Sequence, residues 1–121
     1  MQDQRCCVVV LISGDGKNLQ ALIDASSHSG YIISHVISNN PEAFGLERAK
    51  RCGISSTILN HKDFGTREGF DNALLQAINR KKPDLVVLAG FMRILGPEIV
   101  NNFTGRMLNI HPSLLPKHPG T

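Results

Sequence analysis

The segment Cys6-Cys-Val-Val-Val-Leu-Ile-Ser-Gly-Asp-Gly-Lys-Asn18 joins a continuous apolar run to a glycine-rich turn. An apolar run without alternation is typical of a strand that is covered on both faces of a parallel sheet. We predict this strand over residues 6–13, and we predict Asn18 as the N-cap of a helix that extends to about Ser27. The segment therefore predicts the first half of a βαβ unit.

The rest of the chain repeats this alternation of short apolar runs and helical periodicity. Further strands are predicted over residues 32–38, 56–59, 85–89 and 107–110, and helices near Ala43, Thr66 and Pro97. The pattern predicts an α/β fold, a Rossmann-like three-layer domain with a mainly parallel sheet. Right-handed crossovers place all strand-to-helix loops at one edge of such a sheet, where ligands bind. Any site is therefore expected in residues 14–18, 39–41, 61–65 and 90–95 and at the end of the fifth strand.

Composition favours one soluble globular domain. The 121 residues are 41% hydrophobic and 19% charged, with a net charge of +3 and no tryptophan. So small a charge and so few aromatic residues argue against a nucleic-acid partner, and no run reaches the ~18 apolar residues of a membrane span. The three cysteines are expected to be reduced thiols of a cytoplasmic protein. Spacings of the C-x-x-C or H-x-x-x-H type are missing, so we expect no metal site.

The turn over residues 14–18 has the composition of a phosphate-binding loop. Its glycines let the backbone approach an anion at the start of a helix, and Gly16, Lys17 and Asn18 supply donors. A dinucleotide fingerprint would need Gly or Ala where Leu19 stands, and a P-loop would need Gly in place of Leu11. The turn therefore predicts a site for a single phosphate, with a merely tight turn as the alternative.

Asn109 and His111 form a second group of candidate residues. Two positions apart on a strand, they are expected on the same face, and Pro112 ends the strand pairing. An amide donor can stabilise an oxyanion, and an imidazole can move a proton near neutral pH. A purely structural pair is the alternative. Arg67 and Arg93 are candidate ligand contacts or solvated surface arginines.

Four segments resemble the folate-dependent phosphoribosylglycinamide formyltransferase family of purine synthesis. They are Ser13-Gly-Asp-Gly-Lys-Asn-Leu-Gln20, Ala43-Phe-Gly-Leu-Glu-Arg-Ala49, Leu88-Ala-Gly-Phe-Met-Arg-Ile-Leu95 and Leu108-Asn-Ile-His-Pro-Ser-Leu-Leu-Pro116. The last segment is shared with other formyltetrahydrofolate enzymes, whereas the first two are typical of this family. The resemblance extends from about Val8 to Gly120.

The resemblance implies two small-molecule substrates, glycinamide ribonucleotide and the co-substrate 10-formyltetrahydrofolate. Gly16, Lys17 and Asn18 would hold the ribonucleotide phosphate. The residues that would contact the folate are Arg67, Met92, Arg93, Ile94, Leu95 and Asn109. Asn109 would also polarise the formyl oxygen, and His111 would be the general acid. The protein would be a monomer or a homodimer, without metal.

The sequence also departs from the family pattern. The familiar loop is Ser-Gly-Asn-Gly-Ser-Asn, whereas this chain has Asp15 and Lys17. The family's catalytic Asp follows the segment that ends at Thr121, so residues 1–121 are expected to be the amino-terminal part of one formyltransferase domain, inactive alone. The alternatives are a sister enzyme, either formyltetrahydrofolate deformylase or methionyl-tRNA formyltransferase, and a non-catalytic phosphate-binding module.

Overall fold

The computed structural model describes residues 5–110, in which five strands alternate with helices. The strands are β1 (Cys6–Ile12), β2 (Tyr31–Ser38), β3 (Ser56–Ile58), β4 (Leu85–Ala89) and β5 (Met107–Ile110). The helices are α1 (Lys17–Ser26), α2 (Phe44–Arg51), α3 (Arg67–Arg80) and α4 (Pro97–Asn102), with one 3₁₀ turn at His61–Asp63. No helix in this part of the chain has the length and apolar character needed to cross a membrane.

The five strands form one parallel sheet in the order β3-β2-β1-β4-β5. The chain moves outward from β1 to β3 and then returns to place β4 on the other side of β1. This reversal is the topological switch point at which α/β proteins bind ligands. The predicted α/β class and parallel sheet are confirmed.

Both faces of the sheet are covered, which makes three layers. Val9 and Leu11 of β1 belong to a core that includes Phe70 of α3 and Ile99 of α4. The alternate residues of β1, which are Val8, Val10 and Ile12, belong to a second core with Leu19 of α1 and Ala49 of α2. The continuous apolar run of β1 is thus explained, because its side chains alternate between two buried faces.

The start of α1 differs from the prediction. Asn18 lies inside the helix, and the N-cap is Gly16, which has a left-handed φ of 80° and makes no side-chain cap bond. Asp15 takes over the capping role, since its Oδ1 accepts the backbone N–H of Lys17 at 2.9 Å. The helix therefore begins earlier than an Asn N-cap would place it.

Candidate active site

The glycine loop, defined as residues 14–18, is held directly against the start of α2. A Cβ atom on Gly16 would lie 2.6 Å from the Cα atom of Gly45, so only glycine fits this approach. The backbone N–H of Gly45 donates to the carbonyl oxygen of Gly14 at 3.1 Å. Arg48 of α2 donates through Nε to the carbonyl oxygen of Asp15 at 2.7 Å. The glycine loop is therefore fixed by backbone contacts as well as by its own turn.

The predicted phosphate-binding residues lie together at the amino-terminal end of α1. Lys17 is exposed, Asn18 is half-buried and Gly16 is buried. The positive end of the helix dipole and the Lys17 ammonium both favour an anion here. The Asp15 carboxylate opposes them, because its negative charge repels an anion and its Oδ1 already accepts the Lys17 N–H. The electrostatic balance of the loop thus depends on two side chains of opposite charge.

A cavity of about 830 Å³ opens beside the loop that follows β4. We call residues 90–95 the cavity loop. The lining is mostly apolar, and its residues are Leu88, Phe91, Met92, Arg93, Ile94, Leu95, Val100, Phe103, Thr104, Gly105, Met107 and Asn109. Met92 and Ile94 remain 82% and 77% exposed, which is unusual for apolar side chains. The cavity has the size and character of a small-molecule site.

Two arginines connect the cavity loop to α3, one from each side of the contact. Arg67 donates through Nη2 to the carbonyl oxygen of Ile94 at 3.0 Å. The guanidinium carbon of Arg93 lies 4.4 Å from the ring centroid of Phe70, a cation–π contact. The Nε atom of Arg93 is buried and has no hydrogen-bond partner among residues 5–110. Arg93 therefore lines the cavity, whereas Arg67 contacts the cavity loop through Ile94.

Asn109 is the one member of the predicted amide–imidazole pair whose position is described. It lies in β5, where it is paired with Leu88 of β4, and it is exposed and lines the cavity. The other member, His111, lies outside the described residues. An exposed amide at the cavity wall is suited to polarise a carbonyl group of a bound ligand.

Ser13 and Asn39 are site residues that the sequence analysis did not single out. The Ser13 hydroxyl donates to Asn39 Oδ1 at 2.6 Å and accepts the backbone N–H of Met92 at 2.7 Å. It thereby connects the end of β1 with the segments that follow β2 and β4. The available signal was that both residues are polar and directly follow apolar strands, at the edge where the loops meet.

Among residues 5–110, three groups with displaced pKa values lie outside both loops. Burial, and secondarily the charge of Lys81, lower the pKa of His35. Burial raises the pKa of Tyr31. Burial also raises that of the Cys6 thiol, with smaller contributions from Asp84 and Cys7. Within residues 5–110, no three His, Cys, Asp or Glu residues form a group that could hold a metal ion.

The geometry thus brings a glycine-rich turn at a helix start, an apolar cavity and an exposed amide to one edge of the sheet. A sequence profile described as formyl transferase matches residues 6–121. The chain belongs to the formyl transferase family. This formyl transferase chain is 53% identical over 115 residues to the phosphoribosylglycinamide formyltransferase of Escherichia coli K12, a match that covers 93% of the chain and 54% of the E. coli protein. The resemblance found in the sequence is confirmed.

Other formyl transferases and their solved structures agree with this result. The chain is 49% identical over 124 residues to the trifunctional purine biosynthetic protein adenosine-3 of Drosophila melanogaster, covering 99% of this chain and 9% of that protein. The structure of phosphoribosylglycinamide formyltransferase from Coxiella burnetii matches with a TM-score of 0.87 at 48% identity, covering 94% of this chain and 55% of that one. The formyl transferase chain spans about half the length of its E. coli and C. burnetii relatives.

Proposed function

We propose that this chain supplies the substrate-binding edge of a phosphoribosylglycinamide formyltransferase. The reaction transfers a formyl group from 10-formyltetrahydrofolate to the amine of glycinamide ribonucleotide in purine synthesis. The observation that carries the proposal is the placement of the glycine loop and the apolar cavity on adjacent strands, β1 and β4, on either side of the switch point. We further propose a cytoplasmic protein that is a monomer or a homodimer.

The glycine loop would bind the ribonucleotide phosphate. The α1 dipole and the Lys17 ammonium attract a phosphate, and Gly16 leaves the backbone accessible because it has no side chain. Asn18 adds an amide from the first turn of α1. The loop would bind one phosphate rather than a pyrophosphate, since Leu19 is buried where a dinucleotide site needs a small residue.

The cavity would bind the ring system of the folate. A flat heterocycle fits a mostly apolar space of about 830 Å³ and would cover the exposed Met92 and Ile94 side chains. The backbone N–H groups of the cavity loop would suit the nitrogen and oxygen acceptors of a pterin ring. Arg67 would act partly by fixing the cavity loop through Ile94.

The chemistry would begin with attack of the substrate amine on the formyl carbon. A new C–N bond forms, and the formyl oxygen becomes the oxyanion of a tetrahedral intermediate. The Asn109 amide at the cavity wall would donate to this oxygen. The bond to the folate N10 then breaks, N10 gains a proton with His111 as general acid, and the amine loses one.

Isothermal titration of the 121-residue chain with glycinamide ribonucleotide and with tetrahydrofolate tests this assignment. We expect both ligands to bind, and we expect Lys17→Glu to weaken only the ribonucleotide. Lys50→Glu is the matched control, because Lys50 is an exposed lysine of α2 outside the glycine loop. Binding of the ribonucleotide without folate would favour a phosphate-binding module. Binding of folate alone would favour a sister enzyme, either the deformylase or methionyl-tRNA formyltransferase, and binding of neither would contradict the proposal.

A further inference from the structure

The Ser13 side chain lies at the point where three strand ends meet. Its hydroxyl donates to Asn39 Oδ1 and accepts the N–H of Met92, at 2.6 and 2.7 Å. Its backbone carbonyl accepts the Asn40 side-chain amide at 3.1 Å. Ser13 is 7% exposed and Asn39 is 5% exposed, so these bonds are shielded from water. One buried residue therefore joins the segments that follow β1, β2 and β4.

The Ser13 hydroxyl serves as a hydrogen-bond donor and as an acceptor at the same time. It has a single proton, which goes to the Asn39 oxygen, and it uses a lone pair for the Met92 N–H. Without the hydroxyl, the side-chain oxygen of the nearly fully buried Asn39 loses its donor, and the cavity loop loses its bond to the residue that follows β1. Buried polar groups left without partners are costly, so both neighbours would have to move.

The glycine loop is tied to the same segments. The carbonyl oxygen of Gly14 accepts the N–H of Gly45, and that of Asp15 accepts the Nε–H of Arg48. The loop therefore depends on the position of α2 and of the β2–α2 connection that leads into it. That connection is held to Ser13 through Asn39 and Asn40. A displacement at Met92 therefore reaches the glycine loop through hydrogen bonds and the stretch of chain between Asn40 and Gly45.

We propose that Ser13 is a positioning residue that couples the glycine loop to the cavity loop, so that order imposed on one loop is transmitted to the other. Resting on the proposed function, this means that ribonucleotide and folate each strengthen the binding of the other. Such coupling is reciprocal and commonly amounts to about fivefold or more in affinity. Ser13 touches neither ligand in this scheme.

Hydrogen exchange of the ligand-free chain tests the coupling independently of the proposed function. Ser13→Ala is compared with Ser13→Thr, which keeps the hydroxyl, and with Ser34→Ala, which removes a strand hydroxyl bonded to the Val8 carbonyl. In Ser13→Ala we expect the hydrogen-bonded amides of Lys17, Gln20 and Gly45 to exchange about tenfold faster, together with the amide of Met92. Faster exchange at Met92 alone, or equal effects in Ser34→Ala, would overturn the coupling.

Titration then measures the ligand linkage. In the wild-type chain and in Ser13→Thr, we expect saturating tetrahydrofolate to tighten ribonucleotide binding about fivefold, and we expect no such effect in Ser13→Ala. If both ligands bind the wild-type chain with no mutual effect, the coupling is wrong and the proposed function stands. If neither ligand binds, the proposed function is wrong, and the exchange data alone decide whether Ser13 couples the loops.

Discussion

Gly16 and Gly45 bring the amino-terminal ends of α1 and α2 into backbone contact. A Cβ atom on Gly16 would lie 2.6 Å from Gly45 Cα, and one on Gly45 would lie 3.2 Å from Gly16 Cα. Gly16 also has a φ of 80°, which side-chain-bearing residues rarely adopt. The contact sets the distance between the glycine loop and the segment that carries Arg48. Two helix starts are thereby fixed next to the proposed phosphate site.

Replacing Gly16 by alanine should therefore destabilise the chain. The added methyl group meets backbone atoms that cannot rotate away, so we expect the free energy of unfolding to fall by about 2 kcal/mol or more. Gly14→Ala is the control, because a Cβ there meets nothing within 4 Å. Urea denaturation measures both variants. Equal loss of stability in the two would contradict the importance of the Gly16–Gly45 contact.

The charges of Asp15 and Lys17 should have opposite effects on phosphate binding. Asp15→Asn keeps an oxygen that can accept the Lys17 N–H and removes the negative charge, so ribonucleotide affinity should rise by about fivefold. Lys17→Glu should weaken binding by on the order of 2 kcal/mol, through a lost charge-assisted contact and new repulsion. Titration of both variants at low salt measures these changes. Unchanged affinity in both would remove the glycine loop from the site.

The buried His35 should make the stability of the chain depend on pH. Its Nδ1 and Nε2 atoms lie 2.6 and 2.7 Å from the hydroxyl oxygens of Ser55 and Thr57, which connects β2 to the edge strand β3. Burial and the charge of Lys81 lower its pKa, so the unfolded chain binds a proton more readily than the folded one. The stabilisation is complete above the unfolded pKa of about 6.5 and declines as the pH falls toward the folded pKa.

Unfolding curves measured in buffers between about pH 7.5 and about pH 5, a range around the ordinary histidine pKa, check this expectation. His35→Gln should flatten the pH dependence of the free energy of unfolding. His28→Gln, at an exposed position, should leave it as in the wild-type chain. The same slope in His35→Gln and in the wild-type chain would show that other groups cause the pH dependence.

Much of the fold was predictable because it depends on local patterns. The bounds of β4 and β5 agree with the prediction to the residue, since each strand is a short run flanked by turn residues. Thr66 caps α3 at the position near which this helix was predicted. The predicted N-cap of α1, Asn18, was wrong. The actual N-cap is Gly16, which packs against Gly45 of α2, a residue distant in the sequence.

The candidate site was predictable in its location and less so in its connections. The parallel topology placed the glycine loop, the cavity loop and Asn109 at one edge of the sheet, as expected from the strand order. The bonds from Ser13 to Asn39 and Met92 join residues 26 and 79 positions apart. No local pattern reports such distant partners. The roles of Gly16, Lys17, Asn18 and Asn109 remain predictions.

Loss of the proposed catalytic groups should lower turnover without lowering ribonucleotide affinity. A fusion of residues 1–121 to the part of the E. coli relative that lies beyond the match provides a chain of that relative's length. In this fusion, Asn109→Ala should reduce formyl transfer by ~10²-fold through lost oxyanion stabilisation. His111→Ala should have a similar effect through loss of the general acid. Near-normal turnover in both variants would show that Asn109 and His111 have a structural role and no catalytic one.

Formyl transfer by the unmutated fusion is the most direct test of the proposed activity. The assay supplies 10-formyltetrahydrofolate with glycinamide ribonucleotide and, separately, with water alone or methionyl-tRNA, and the E. coli protein serves as the positive control. We expect formylglycinamide ribonucleotide as the product, in amounts that depend on the ribonucleotide. A folded fusion that binds both substrates and yields only formate, formylated methionyl-tRNA or no product would contradict the assignment.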